Sequence, residues 1–107
     1  YNSSDILIST SRFESFGQIA LEAQACGIPS VGFFNTGLEN IIINNKTGHL
    51  LKNSNIKKMS KKIVSLLMHS RYLKFKNLAR MNAIKNFDFK VISKIHLNCY
   101  KKILNDN

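Results

Sequence analysis

Two carboxylates, Glu14 and Glu22, flank a Phe-Gly turn with seven residues between them, in Arg12-Phe13-Glu14-Ser15-Phe16-Gly17-Gln18-Ile19-Ala20-Leu21-Glu22-Ala23-Gln24-Ala25-Cys26-Gly27-Ile28-Pro29. A carboxylate is an acceptor only, and its two oxygens suit the paired hydroxyls of a vicinal diol. From Phe16 to Cys26 most side chains are small or apolar, as in a helix packed on several sides. Glu22 is therefore expected to be a buried charge, which costs several kcal/mol unless it is paired or hydrogen-bonded. A bound ligand carrying hydroxyl groups is the compensating partner these residues suggest. The amino end of the helix offers free backbone N–H groups from about Ser15 to Gln18, and its dipole favours negative charge, so it can receive phosphate or sugar oxygens. Gly17 allows close approach of a ligand to the backbone. For a nucleotide diphosphate sugar in this crevice, Glu22 would hold the ribose diol and Glu14, on the preceding loop, would reach the sugar.

The elements that must position this segment can be read from spacing. Asp5-Ile6-Leu7-Ile8-Ser9 is a short branched, apolar run expected to form a buried strand of a parallel sheet. Ser15 and Gln18 have the spacing of a capping box, and Gly27 followed by Pro29 ends the helix. Ser30 to Phe34 reads as the next strand, giving a strand, crossover helix and parallel strand. Leu38 to Ile43 suggests a short helical segment, and the turn Asn44 to Gly48 leads into a third strand, His49-Leu50-Leu51. The period then changes. Ile56, Met59, Ile63, Leu66 and Leu67 share one helical face, with Lys57, Lys58, Lys61 and Lys62 on the other. Further helices are expected over 72–86 and from about Lys90 to Leu104, the latter with Ile92, Ile95, Cys99 and Ile103 inward. The fold class is α/β: part of a Rossmann-like, doubly wound parallel sheet, followed by C-terminal helices. Ligands of such folds sit beyond the carboxyl ends of the strands, where the Glu14 loop begins.

The chain of 107 residues allows one domain at most. It opens without Met on Tyr1-Asn2-Ser3-Ser4-Asp5, as a piece of a longer protein would. No leader and no run near the roughly 20 apolar residues of a membrane span is seen, so a cytoplasmic location is expected. Cys26 and Cys99 lack metal-ligand spacing and read as small core residues; no metal is expected. His49, His69 and His96 read as structural or solvated. Charge is unevenly placed. Residues 1–45 set four carboxylates against Arg12 alone, a net −3, while 15 Lys and Arg from Lys46 onward face only Asp88 and Asp106, a net +13.

The glutamate segment resembles the retaining GT-B glycosyltransferases of the large family four, the glycosyl transferases group 1, whose signature is a glutamate, a Phe-Gly turn and a second glutamate after seven residues. Asp5 to Ser11 is similar to that family's preceding strand, Glu22-Ala23-Gln24-Ala25-Cys26-Gly27-Ile28-Pro29-Ser30-Val31 to its Glu-Ala-x-Ala-x-Gly-x-Pro-x-Val segment, and Lys46-Thr47-Gly48-His49-Leu50-Leu51 to its closing strand. The stretch from Leu78-Ala79-Arg80 through Asn86-Phe87-Asp88-Phe89 to Tyr100 resembles its last helices, so the likeness spans the chain. It implies that residues 1–107 are the C-terminal part of a nucleotide-sugar-binding domain, without the N-terminal acceptor domain. It also implies that Glu14 is catalytic through binding and orienting the donor sugar. Ser15, Phe16, Gly17 and Gln18 would then supply backbone donors, and Glu22 would hold the ribose. No cofactor or metal is implied beyond the nucleotide diphosphate sugar, which is substrate. Where the family has Gly-Gly-x-Pro-Glu or -Asp, this chain has Thr36-Gly37-Leu38-Glu39-Asn40, so no role is carried over to that loop. Glu39 reads as a surface or helix-start acid rather than a ligand. The family's Arg and Lys that neutralise the leaving diphosphate lie upstream of Tyr1, so this segment alone is expected not to catalyse transfer.

The resemblance implies sugar transfer with retention to a saccharide or lipid-linked acceptor, in cell-envelope polysaccharide synthesis. The basic second half suggests a different class of function, a module docking on an anionic membrane or on nucleic acid. Nucleic acid is disfavoured, because Tyr72, Phe75, Phe87, Phe89 and Tyr100 sit at positions suited to packing rather than interleaved with lysines for base stacking. A combined reading places the enzyme peripherally on the cytoplasmic face of a membrane that carries its acceptor. Other GT-B enzymes, such as a sugar epimerase or phosphorylase, share the same half-site logic.

Overall fold

The computed structural model describes residues 1–52 and 55–105. Three parallel strands, β1 (Leu7–Ile8), β2 (Ser30–Phe33) and β3 (Gly48–Leu51), form one sheet in the order β1-β2-β3, with Leu7 opposite Ser30 and Ser30 opposite Gly48. Helix α1 (Gln18–Ala25) connects β1 to β2, and a 3-10 turn (Gly37–Asn40) follows β2. Helices α2 (Ile56–Leu67), α3 (Tyr72–Phe87) and α4 (Phe89–Asn105) complete the chain. The expected α/β class, strand count, parallel pairing and C-terminal helices are all present.

Alternation along the strands divides the core between the two sheet faces. Ala20, Leu38, Ile41, Ile42 and Leu50 pack on one face, with Leu7, Leu21, Phe34 and Phe87 against them. Val31, Phe33, Leu51, Met59 and Leu66 pack on the other, joined by Ile6, Ile63 and Phe75. Strands β2 and β3 are buried throughout, as strands covered on both faces must be. Strand β1 is only half so, since Ile8 is exposed, which departs from the expected buried strand. It is also shorter than the apolar run, because only Leu7 and Ile8 find register partners on β2.

Helix α1 contradicts the expectation of burial on several sides. Ala20, Ala23 and Gln24 are buried, whereas Gln18, Ile19, Glu22 and Ala25 face outward. The polar side chain that this helix buries is Gln24, two positions beyond Glu22. Its Nε2 donates to Ile41 O at 3.2 Å and Thr47 Oγ1 at 3.0 Å, and its Oε1 accepts from Asn82 Nδ2 at 2.8 Å. Asn82 Nδ2 also donates to Ile41 O at 2.9 Å. These bonds tie α1, the segment after the 3-10 turn, the turn before β3 and α3 together inside the core. The cost of burying two amides is thereby offset.

Two further expectations fail for one reason. Helix α4 contributes no buried residue: Ile92 is half-buried, while Ile95, Cys99 and Ile103 are exposed, as are Phe89 and Tyr100. Periodicity marks which face of a helix is apolar but not whether anything packs on it. Cys26, at the C-cap of α1, is likewise exposed rather than in the core. In α2, Met59 and Leu66 are buried and Ile63 half-buried as expected, whereas Ile56 and Leu67 at its ends are exposed. Its four lysines all face outward.

Candidate active site

The loops that follow β1 and β2 meet at the carboxyl ends of these strands, and their contact builds the candidate site. The Glu14 backbone carbonyl accepts a hydrogen bond of 2.5 Å from Gly37 N at the start of the 3-10 turn. An added Cβ on Gly37 would overlap the Ser15 carbonyl group and the Phe16 amide nitrogen, so only glycine lets the two loops come this close. The loop that departs from the family pattern thus braces the Glu14 loop. Around it Thr36 Oγ1 donates to Phe33 O at 2.9 Å and accepts from Leu38 N, while Glu39 Oε1 accepts from Asn35 N at 2.7 Å. Glu39 is the helix-start acid expected, in the first turn of the 3-10 segment.

The capping box is absent. Helix α1 has Gly17 as N-cap, in the left-handed region at φ 93°, and no side chain caps it from that position. Glu14 does the work instead: its Oε1 accepts from Gly17 N at 3.1 Å and Phe16 N at 3.4 Å. One carboxylate oxygen is thereby fixed at the positive end of the helix. Oε2 has no partner among the described residues and is left to accept from a ligand hydroxyl. Two of the amides expected to face a ligand, those of Phe16 and Gly17, are therefore already bonded to Glu14. The amides of Ser15 and Gln18 have no acceptor among the described residues. Phe16 itself turns its ring edge-on to Phe87, centroids 6.3 Å apart, so its contribution near the site is its backbone.

Glu22 lies one helical turn beyond Gln18 on the same face, exposed rather than buried. Its Oε1 accepts from Gln18 Nε2 at 3.3 Å and its Oε2 from the Tyr1 hydroxyl at 2.7 Å. The Tyr1 bond first, then that from Gln18, hold the Glu22 carboxyl below its ordinary pKa, because both stabilise the charged form. The same contact raises the Tyr1 phenol. Both Glu22 oxygens thus accept donors from outside the helix backbone, the pattern a diol would present. The structure brings Glu14, Ser15, Phe16, Gly17, Gln18 and Glu22 to one end of α1. What spacing did not reveal was the bracing by Thr36 and Gly37, for which the only signal was a glycine following a strand. Among the described residues no group of three or more His, Cys, Asp or Glu side chains could hold a metal ion.

An α/β sheet with a glutamate-bearing loop at its carboxyl edge, leading straight into a helix, sets these residues where such folds hold their ligands. Residues 1–86 match the family described as Glycosyl transferases group 1, and the chain belongs to that family. Over 51 residues it is 45% identical to a D-inositol 3-phosphate glycosyltransferase of Arthrobacter sp. (strain FB24), covering 48% of this chain and 12% of that protein. The solved structure of a glycosyltransferase from Rickettsia africae ESF-5 superposes with a TM-score of 0.83 at 31% identity, over 97% of this chain and 28% of that one. Anabaena Alr3699/HepE, solved in complex with UDP and glucose, shares the fold with a TM-score of 0.77 at 20% identity, over 92% of this chain and 27% of its own. The chain therefore spans roughly an eighth to a quarter of the length of these relatives. The neighbours are GT-B glycosyltransferases, and the three parallel strands with C-terminal helices correspond to part of that fold.

Proposed function

We propose that this chain is the donor-binding half of a glycosyltransferase that moves a sugar from a nucleotide diphosphate sugar to a saccharide or lipid-linked acceptor, with retention at the anomeric carbon. The observation that carries the reading is the Glu14 carboxylate, anchored by one oxygen on two backbone amides and open at the other, at the carboxyl edge of a parallel sheet. In this reading Oε2 of Glu14 accepts a hydroxyl of the donor sugar and stabilises the positive charge that develops as the anomeric C–O bond to the diphosphate breaks. The acceptor hydroxyl oxygen then bonds to the anomeric carbon on the face from which the diphosphate leaves, and its proton passes to the departing diphosphate. The amides of Ser15 and Gln18 receive donor oxygens at the helix terminus. Glu22 exchanges the Tyr1 hydroxyl for a ribose diol. The relative solved with UDP and glucose supports a nucleoside diphosphate and a sugar as the ligand class.

No metal or further cofactor takes part in this proposal, and the cations that neutralise the diphosphate are assigned to residues outside this chain. The four exposed lysines of α2 support peripheral contact with an anionic membrane carrying the acceptor, on its cytoplasmic face. No helix among the described residues is long and apolar enough to cross a membrane. Exchanging Glu14 for Gln in the full-length protein tests the donor reading: transfer from nucleotide sugars should fall about 10²-fold or more, the loss typical of one removed electrostatic stabiliser. Transfer at the unaltered rate would refute the role given to Glu14.

A further inference from the structure

A large cavity lies away from the glutamates. It has a volume of about 650 Å³ and is walled by the turn before β3, the second half of α2, the α2–α3 junction and the first turns of α3. The turn before β3 places it at the amino-terminal end of that strand, whereas the Glu14 loop sits at the carboxyl ends of β1 and β2. Lys46, Lys62, Arg71 and Lys74 line it together with His49 and His69, and no carboxylate does. A second concavity of about 480 Å³ continues from it, sharing Lys62 and Ser65, and adds Lys52, Lys58 and Lys61, again without a carboxylate. Seven cations thus line one trough along the free edge of β3.

The floor of this trough is built, not merely decorated with surface lysines. His49 is only 7% exposed; its Nδ1 donates to Asn45 Oδ1 at 3.0 Å and its ring packs 5.6 Å from that of Phe75. This bond puts the proton of the neutral ring on Nδ1 and leaves Nε2 without a partner among the described residues. His69 also packs against Phe75, centroids 6.1 Å apart, and its Nδ1 accepts from Arg71 N at 2.9 Å, which leaves its Nε2–H as a donor. Two oriented imidazoles in a cavity walled by lysines and an arginine form a site for an anion with several acceptor oxygens.

We propose that this trough is a second ligand site, for a phosphate-bearing molecule, distinct from the donor site at the other end of the sheet. A phosphate group would pair with Arg71 and Lys62, accept from His69 Nε2 and draw a second proton onto His49 Nε2. The charged groups that line the cavity with His49 are Lys62 from α2, Lys74 from α3, Lys46 from the preceding turn and Arg71 at the junction, and the other titratable group there is His69. Burial first, then Lys62 and His69, hold the His49 imidazole below its ordinary pKa, and the negative charge of a bound anion would act in the opposite direction. The proposal does not depend on the donor reading.

The test is a titration with inorganic pyrophosphate, following the imidazole resonances of His49 and His69 by NMR, alongside flotation with phosphatidylcholine vesicles containing or lacking phosphatidylglycerol. Expected is a saturable shift of His49 toward the imidazolium form, with affinity at least about tenfold weaker in Arg71→Ala and in Lys62→Ala, the loss of one charge-assisted hydrogen bond. Both residues are exposed, so these variants should fold. Lys101→Ala with Lys102→Ala, on α4, should change affinity less than about twofold. Pyrophosphate binding with no flotation identifies a soluble phosphate ligand. Flotation with phosphatidylglycerol that Arg71→Ala abolishes identifies a lipid headgroup. The absence of both, or equal weakening by the α4 control, would overturn the proposal. Shifts at Ser15 and Gln18 report the donor site separately, so either site can fail alone.

Discussion

Gly37→Ala alters no charged residue and touches no proposed ligand, yet it should disable the candidate site. Its Cβ would lie within 3.0 Å of the Phe16 nitrogen and the Ser15 carbonyl, all backbone atoms with no rotamer to yield. Ordinary Cβ contact begins at 3.4 Å, so the Glu14 loop and the 3-10 turn must part, stretching the Gly37 N to Glu14 O hydrogen bond. Overpacking of this kind costs about 1–3 kcal/mol, and backbone against backbone belongs at the upper end. For a chain of this size that is a fall in Tm on the order of 10 °C. The loop would carry Glu14 with it, and a misplacement near 1 Å costs roughly 10²-fold in a reaction that depends on it. Gly27→Ala is the control. At Gly27 φ is +73° and the nearest atom to an added Cβ is Lys76 O at 3.5 Å, so only the left-handed strain of about 1–2 kcal/mol remains, away from the site. Thermal unfolding, together with titration of nucleoside diphosphates, separates the two variants. If Gly37→Ala keeps both its Tm and its nucleotide affinity, the two loops do not brace each other as described.

Other consequences can be checked independently. Tyr1→Phe should leave the fold intact and tighten nucleotide binding, because a ribose diol no longer displaces the phenol from Glu22; weaker binding in calorimetry would show instead that Tyr1 belongs to the site. Glu22→Gln should weaken nucleoside diphosphate binding about tenfold, the value of a charge-assisted hydrogen bond, with little change in Tm since Glu22 is exposed. Gln24→Leu should lower stability by about 1–3 kcal/mol in urea unfolding, because Ile41 O, Thr47 Oγ1 and Asn82 Nδ2 each lose a buried hydrogen-bond partner, and an unchanged midpoint would show that the core network contributes nothing. His49 is held below its ordinary value of 6.5, so the folded chain binds fewer protons there than the unfolded one. Its stabilising effect is complete above about pH 6.5 and declines as pH falls below that value toward the folded pKa. Scanning Tm from pH 7.5 to 5 should show this decline and its flattening in His49→Gln.

How much was legible in the sequence differs from residue to residue. The strands announced themselves because the Ile6-Leu7-Ile8 run is branched and apolar, while β2 and β3 lie in short, largely apolar stretches that directly follow turn residues. Gly27 ended α1 as expected, at φ 73°. The Ser15–Gln18 spacing misled, because Glu14 on the loop reaches the same helix amides, and an amide cap depends on loop path as well as on residue spacing. Glu22 misled through its neighbours: Ala20 and Ala23 are buried where α1 packs on the core and against α3, while the other side of so short a helix remains exposed. Small side chains signal close packing without saying on which side. Gln24 and Asn82 lie 58 residues apart, and their bond exists only in the folded chain. The inward face expected of α4 is apolar in sequence, yet Ile95, Cys99 and Ile103 are exposed and Ile92 is half-buried.

The claim on which the rest depends is that a nucleoside diphosphate binds at the amino end of α1 between Glu14 and Glu22. Backbone amide NMR of the protein, titrated with a panel of nucleoside diphosphates, tests it most directly. The account predicts that at least one of them shifts the Ser15 and Gln18 amides saturably, and that Glu22→Gln weakens that response. No shift at these amides with any of the panel, or shifts that Glu22→Gln leaves untouched, would contradict it.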